Sequence, residues 1–535
     1  DPDRLYVSSQ RLWMTRDGGN TWENLSGDLT RADPATLQHS GGPITGDMNG
    51  PEVYATIFAV APGKLDVDVI WAGSDDGLVH VTQDGGQTWA DVTPPDMPDF
   101  GRVSQIDGSA FESGRAYMSV RKPLLDDFSP YVWKTADYGA TWTKIVDGIR
   151  EDAYVHAVRE DPNRRGLLYA ATQHGVYVSF DDGGWWEPLG HGFPDIPVID
   201  LIVERDELVI GSHGRSFWIL DNVSPLRQYE GDLTDTAVKL FTPASGIRSG
   251  GDMTLSWWLA EEPEFVRLEI VDAAGEVVRT FEPEPSAEDG DSTASPGPEA
   301  RYRNRPDLPL RAGLSSIKWD LRGDAFTVFP GMILWGVRRN APALPPGEYT
   351  ARLTADGVTA TAPLTIERNP WIEDATQADL EAQYAFSSRV RDKVNEANEA
   401  VIRIRRIRAQ AEAALESSDD GRLEEAVERL DGNASEVEAN IYQVRNRSGQ
   451  DPLNFPIKVN NRLANLMSMA EMGDGRPGTY MPEIFQILEA ELQGYANRLQ
   501  EVWATDLAAV NRELERLGMD PIDPNCADDE RCPIA

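Results

Sequence analysis

Two hydrophobic periodicities divide the chain. Over residues 1–228, apolar and polar positions alternate in short runs of β-branched and aromatic residues, the pattern of half-buried strands. These runs fall into five sets: Arg4–Ser8 and Leu12–Thr15; Tyr54–Val60, Val69–Gly73 and Leu78–Thr82; Val103–Phe111, Ala116–Arg121 and Tyr131–Thr135; Ala153–Val158, Leu167–Ala171 and Val176–Ser179; Val198–Glu204, Glu207–Gly211 and Ser216–Leu220. Residues 229–371 continue with irregularly spaced strand runs: Val238–Phe241, Thr254–Leu259, Val266–Val271, Val277–Phe281, Leu314–Asp320, Gly347–Ala355 and Val358–Ile366. From residue 372 the period changes to three and four. Val390, Val394, Ala397, Val401, Ile404, Ala411 and Leu415 form one helical stripe, interrupted by Arg408. Asp374-Ala-Thr-Gln-Ala-Asp379 is a start signal for that helix, and Ser417-Ser-Asp-Asp-Gly421 ends it. Leu423–Arg447, Phe455–Met472 and Met481–Leu517 predict three more helices, and the short links between them favour an antiparallel bundle.

Four of the five strand sets end in one repeated phrase. It reads Thr15-Arg-Asp17-Gly-Gly19-Asn-Thr21-Trp22 and returns around Asp84 and Trp89, around Asp137 and Trp142 and, more loosely, around Asp181 and Trp186. A short Asp can accept hydrogen bonds from turn amides, and the glycines permit positive φ. The Trp opens the next strand and can bury its ring between neighbouring sheets. Repetition of this kind predicts a radial array of sheets, a β-propeller with structural rather than catalytic Asp phrases.

The pattern Ser/Thr-x-Asp-x-Gly-x-Thr-Trp resembles the Asp-box, or BNR repeat, of sialidases, oligoxyloglucan-cleaving glycosidases and the sortilin propeller. Ala72-Gly-Ser-Asp-Asp-Gly-Leu-Val-His-Val-Thr82 and Gly211-Ser-His-Gly-Arg-Ser-Phe-Trp-Ile-Leu-Asp221 are similar to stretches of bacterial sortilin-like, BNR-repeat glycosyl-hydrolase-like proteins. The resemblance implies a mainly β, multidomain chain corresponding to the C-terminal portion of such a protein. Residues 1–228 would be about five blades of a partial ring, and 229–371 an immunoglobulin-like β-sandwich with a mobile Pro/Glu/Ser/Gly-rich insertion at 283–305. Residues 372–517 would be an antiparallel helical bundle and 518–535 a tail. Ile317-Lys-Trp-Asp-Leu-Arg322 and the Leu344–Leu353 stretch resemble the immunoglobulin-like domain of flagellar hook-cap proteins. Sortilin-type rings are larger than five blades. A missing first half, on the same precursor or on another chain, is therefore expected as a partner, and a second copy of the chain is a further candidate. Apolar Val328–Arg339 is expected to pack on a neighbouring domain.

Charge narrows the setting. The chain of 535 residues carries 89 Asp and Glu against 50 Lys and Arg, a formal net charge of −39. Such a surface repels nucleic acid and anionic lipid, and no window offers the ~20 apolar residues of a membrane helix. Together with the resemblance, this implies a secreted, periplasmic or cell-surface protein. Cys526 and Cys532, lying in the tail without a nearby His, suit a small disulfide loop rather than a zinc site. No metal or cofactor is expected.

Candidate chemistry falls on the loops. The turns Asp75-Asp76-Gly77, Gln173-His174-Gly175 and Ser212-His213-Gly214 each separate the second and third strands of a set. The third set has Arg121-Lys122 through Pro130 at that place. In a radial array these turns share one face, which makes Arg121, Lys122, His174, His213 and Arg215 candidate ligand-binding residues. His-Gly and Asp-Gly are also simply good two-residue hairpin turns. Asp47, Glu52, Asp75 and Asp76 are the carboxylate candidates for glycoside hydrolysis, and no spacing singles out a pair. A sialidase's arginine triad with its Tyr–Glu couple is not placed, and His-Glu-x-x-His, Gly-x-Ser-x-Gly and a phosphate-binding Gly-rich loop are absent. Arg403, Arg405, Arg406 and Arg408 form a dense basic run, read as a solvated helix face or a docking surface for an acidic partner. The leading function is extracytoplasmic recognition or scaffolding, the propeller face binding a protein, peptide or glycan. The alternatives are a glycoside hydrolase and a structural subunit of a cell-surface assembly.

Overall fold

The alternating runs of residues 1–228 pair as successive meanders. The computed structural model describes residues 3–39, 53–190, 192–233, 235–283, 297–302 and 308–524. The chain divides into two compact units, Asp1–Leu233 and Thr234–Ala535.

The first unit holds five antiparallel sheets whose strands lie in chain order. The first sheet comprises Leu5–Ser8, Leu12–Thr15 and Glu23–Asn24. The second comprises Ile57–Pro62, Ile70–Ser74, Val79–Thr82 and Ala90–Asp91, and the third Arg102–Gly108, Ala116–Lys122, Asp127–Thr135 and Thr143–Lys144. Val155–Glu160, Leu168–Thr172, Gly175–Ser179 and Glu187–Pro188 make the fourth, and Val198–Glu204, Glu207–Ser212 and Phe217–Leu220 the fifth. A one-turn helix, α1 (Ser224–Arg227), closes the unit.

The opening strands of the second to fifth sheets pack on one another in sequence, which makes the unit β-propeller-like. Each sheet interface is filled by large buried rings and β-branched chains, including Trp71, Trp133, Tyr117, Trp186 and Tyr169. The opening strands of the second to fifth sheets each carry a register shift within their first four residues, at Ile57/Ala59, Val103/Gln105, Val155/Ala157 and Val198/Asp200. A bulge re-aims the side chains beside it. Here the same device recurs at the same end of four sheets.

The second unit combines β and α structure. Val238–Leu240, Met253–Leu259 and Gly313–Trp319 form one sheet; Gly246–Ile247, Val358–Glu367, Gly347–Ala355, Val266–Val271 and Val277–Phe281 form the other. The two share a core that includes Trp257, Leu255, Trp319, Phe281 and Leu353.

The helices are α2 (Gln377–Glu416), α3 (Gly421–Ile441), α4 (Val459–Ala470), α5 (Met481–Val502) and α6 (Ala508–Leu517), the last two joined through a π turn at Trp503–Leu507. Thr376 and Asp379 close a capping box at the start of α2, where the sequence places the start signal. The expected stripe is buried from Val390 to Ala411. Met332, Ile333 and Leu334 are buried in this unit, and the backbone N–H groups of Ile333 and Trp335 donate to Tyr442 and Asn461 of the helical region. The apolar Val328–Arg339 segment thus packs on the helices as expected.

Within the insertion, Pro298–Tyr302 is a 3₁₀ turn whose Tyr302 is buried, its hydroxyl donating to the Leu334 carbonyl at 2.9 Å. Residues 284–296 and 303–305 lie outside the described residues, as do Cys526 and Cys532 and the disulfide expected of them. Among the described residues, no helix is long and apolar enough to cross a membrane.

Candidate functional site

The four Asp phrases act as fasteners. In the first, the Thr15 hydroxyl donates to Asp17 at 2.7 Å, and Asp17 accepts from the Thr21 N–H at 2.9 Å and the Thr21 hydroxyl at 2.7 Å. Asp84 and Asp137 repeat this set with Thr82 and Thr88, and with Thr135 and Thr141. Asp181 still accepts from the Ser179 hydroxyl and the Trp185 N–H, with Trp185 standing where the others have the second Thr. The trailing Trp then reaches back one sheet. Trp89, Trp142 and Trp186 donate their indole N–H to the carbonyls of Leu25, Val92 and Ile145, each the residue that follows the last strand of the preceding sheet. Three equivalent bonds make a repeated tie between neighbouring sheets.

At the bulged end of the sheets, equivalent turns carry different side chains. The N–H of Asp75 donates to Thr56, that of Gln173 to Tyr154 and that of His213 to Pro197, each a carbonyl just before the opening strand of the same sheet. The three turns are therefore in register. Together with the longer hairpin of the third sheet they border a cavity of about 710 Å³. Asp75, Arg121, Lys122 and His213, four of the residues singled out from sequence, line it. His174 stands outside it, its Nδ1 2.8 Å from Asp195, and neither Asp76 nor Arg215 is among the lining residues. Asp47 and Glu52 lie outside the described residues.

The cavity also recruits residues that the sequence did not flag: Tyr54, Phe100, Arg102, Tyr154, His156, Gln173 and Ile199. Arg102 has a readable signal. It opens the third set's first strand as Arg121 ends the second, and the hairpin pairs the two directly. Leu124 and Leu125, on a 3₁₀ turn that Pro123 begins, form an apolar rim and are 83% and 58% exposed.

Hydrogen bonding sets the His156 tautomer, and burial leads in setting the charge states. Arg121 Nη1 lies 2.9 Å from His156 Nδ1, and a guanidinium only donates. His156 therefore holds its proton on Nε2, which faces Gln173 Oε1 at 3.5 Å. Burial, then the charge of Arg121, lowers the His156 pKa to about 4, so the ring is neutral at pH 7. Burial, then the neighbouring Arg102, pushes the Arg121 guanidinium down.

The Asp75 carboxyl is pushed up, chiefly by burial and also by Asp76, although it accepts from the Thr56 N–H at 2.8 Å. Asp76 is occupied structurally, accepting from the N–H groups of Arg31 and Ala32 and from the Ser74 hydroxyl. Among the described residues that line the cavity, Asp75 is the sole carboxylate beside three cations, Arg102, Arg121 and Lys122. Among the described residues, no cluster of His, Cys, Asp and Glu could hold a metal ion.

The basic run of the second unit is largely spoken for. Arg405 donates to Glu438, and Arg408 to Asp431 and Glu438, tying α2 to α3.

No family model matches the chain, and no curated protein matches it. Among solved structures it is similar to YCF48 bound to D1 peptide, at 18% identity and a TM-score of 0.28 over 49% of this chain and 74% of that one. It is also similar to the GH74 xyloglucanase from Xanthomonas campestris, at 16% identity and a TM-score of 0.31 over 67% of this chain and 56% of that one. An ancestral GH74 enzyme matches at 13% identity and a TM-score of 0.31, over 53% of this chain and 37% of that one.

Proposed function

We propose that the first unit is a recognition module that holds a protein or peptide segment in the cleft at the bulged end of its sheets. The observation that carries this reading is the composition of the cleft. Exposed Leu124 and Leu125 and half-buried Phe100 supply apolar contact, while Tyr54, Tyr154 and Gln173 supply directed polar groups. That mixture suits a peptide's alternation of side chain and backbone. Hydrolysis of a glycoside would need a second carboxyl at roughly 5–9.5 Å from the first, and Asp76 is committed to holding the Arg31–Ala32 backbone.

The test is a panel of immobilised peptides and oligosaccharides offered to the purified chain. Capture of peptides with no release of reducing sugar is the expected result. Sugar release that disappears in Asp75→Asn would replace this reading with the glycosidase one.

We infer further that the outer sheets receive additional sheets of the same build, which is the partner relation expected from sequence. Trp22 occupies the place of Trp89, Trp142 and Trp186, yet it is 40% exposed and makes no equivalent bond among the described residues. Leu5 and Val7 of the same sheet are about half exposed, as are Ile202 and Ile219 at the other end, where Phe217 is 78% exposed. A sheet offering Trp22 a carbonyl, as Leu25 does for Trp89, fits the first face. Hydrogen exchange of the chain alone and of the protein isolated from its source discriminates. Protection of Leu5–Ser8 only in the latter is expected, and equal exchange in both would overturn the inference. An extracytoplasmic location, suggested by the acidic surface, belongs to the same proposal.

A further inference from the structure

Arg102 and Arg121 are direct cross-strand partners in the third sheet. Like charges placed opposite each other destabilise a strand pair, and burial adds to that cost. In a chain with 89 acidic residues, a carboxylate between them would be the simple remedy, and most half-buried arginines here have one. Among the described residues, neither Arg102 nor Arg121 has a carboxylate within ion-pair distance. Arg102 lies over the Phe58 ring at 4.8 Å, and Arg121 meets the neutral His156.

His156 fixes one edge of the Arg121 guanidinium and leaves its remaining N–H groups for other acceptors. The third cation, Lys122, lines the same cleft, while Asp75 is held by Thr56. A planar, donor-only fork suits the bidentate geometry of a carboxylate.

We propose that the Arg102–Arg121 pair is the seat of a ligand carboxylate, so that the cleft selects acidic peptides, with an apolar neighbour of the acid resting on Leu124 and Leu125. This rests on the reading of the cleft as a peptide site and deepens it by naming the group recognised. The apolar rim favours a peptide over a uronic-acid glycan, whose hydroxyls would face Leu124 and Leu125 unpaired.

The probe is an immobilised library of eight-residue peptides in matched forms: Asp and Glu against Asn and Gln, and a free against an amidated C-terminus. With the full chain, retained peptides should be the acidic forms, and their amide counterparts should bind at least ~10-fold more weakly. The pair of C-terminal forms shows whether the side-chain or the terminal carboxylate is read. Arg102→Gln and Arg121→Gln should each remove the preference, acidic and amide forms then binding alike. A thermal melt checks that each variant is folded. Should Arg121→Gln unfold, Arg102→Gln and protection of the wild-type arginines from phenylglyoxal by an acidic peptide carry the test.

Acidic and amide forms binding equally would overturn the carboxylate inference and leave peptide recognition standing. Retention of no peptide in any form would overturn both. Phenylglyoxal protection by oligoglucuronate or inorganic phosphate, and not by acidic peptides, would overturn the choice of a peptide.

Discussion

Single side chains in the first unit do electrostatic work that their residue type alone does not reveal. Asp17 and Asp84 are drawn down to about 2, each by hydrogen bonds from the Thr four residues on and the Thr two residues before. A depressed carboxyl contributes stability above its unfolded value, and that contribution is lost as pH falls through about 2. The acid limb of a stability profile should therefore flatten in Asp84→Asn, as urea titrations between pH 5 and 2 would show.

His156 acts at milder pH. Its folded value of about 4 lies below the ordinary 6.5, so the stability from keeping it neutral is complete above pH 6.5 and declines as pH falls towards 4. The loss is on the order of 3 kcal/mol. Arg121, Arg102, Tyr154 and His213 are the charged or titratable groups around it. Melts of wild type and His156→Gln between pH 7 and 4 should show the slope only in the wild type. The Asp phrases were legible from sequence because their chemistry is local, spanning the seven residues from one Thr to the next, as from Thr15 to Thr21. His156 was not, because its state depends on the side chain of Arg121, which belongs to the preceding sheet.

At the scale of the sheets, the Gly of the second, third and fourth phrases is a socket for the sheet before it. A Cβ at Gly139, where φ is +83°, would lie 2.7 Å from Val92 Cβ, and one at Gly183 2.5 Å from Ile145 Cδ1. Gly19 has the same left-handed φ, +94°, but a Cβ there would meet only its own Trp22, at 3.7 Å. Alanine at either site carries the backbone strain. Only Gly139→Ala also overpacks an interface, so it should destabilise by about 1–3 kcal/mol more than Gly19→Ala in urea unfolding. The strand positions followed from alternation to within a few residues. The third sheet differed most: its third strand begins at Asp127 rather than Tyr131, since the hairpin extends beyond the apolar run with Tyr131 bonded to Asp127. Apolar periodicity reports burial and misses a strand end that projects over a cleft. For the same reason the sequence gathered Asp75, Arg121, Lys122 and His213 from turns and passed over Arg102 and Tyr154, which sit at strand ends.

Across the second unit, buried charge joins the sheets to the helices. Arg248 is nearly inaccessible, donates to the Leu344 carbonyl at 2.9 Å and pairs with Asp474, while Arg322 meets Glu471 at 2.8 Å. Burial, the leading influence, pushes the Arg248 guanidinium down, against the pull of Asp474 and Glu471. Removing one partner leaves the other charged and dry, so Asp474→Asn should cost about 3–5 kcal/mol. Arg248→Met with Asp474→Leu should recover part of that, and denaturant unfolding of both variants tests it. The sequence showed strands followed by helices. It could not show that one network ties them into a single unit, because Arg248 and Asp474 are far apart in the chain.

The Trp ties of the first unit have a kinetic consequence. Each tie fastens a sheet only to its predecessor, so stability there is a chain of nearest-neighbour terms rather than one shared core. By these ties the second and third sheets are clamped on both sides, the first and fourth on one, and the fifth on neither. Opening should therefore travel as a front from the ends inward. Amides of Leu5–Ser8 and Phe217–Leu220 should exchange with solvent first, and those of Ala116–Lys122, whose Arg121 and Lys122 line the cleft, among the last.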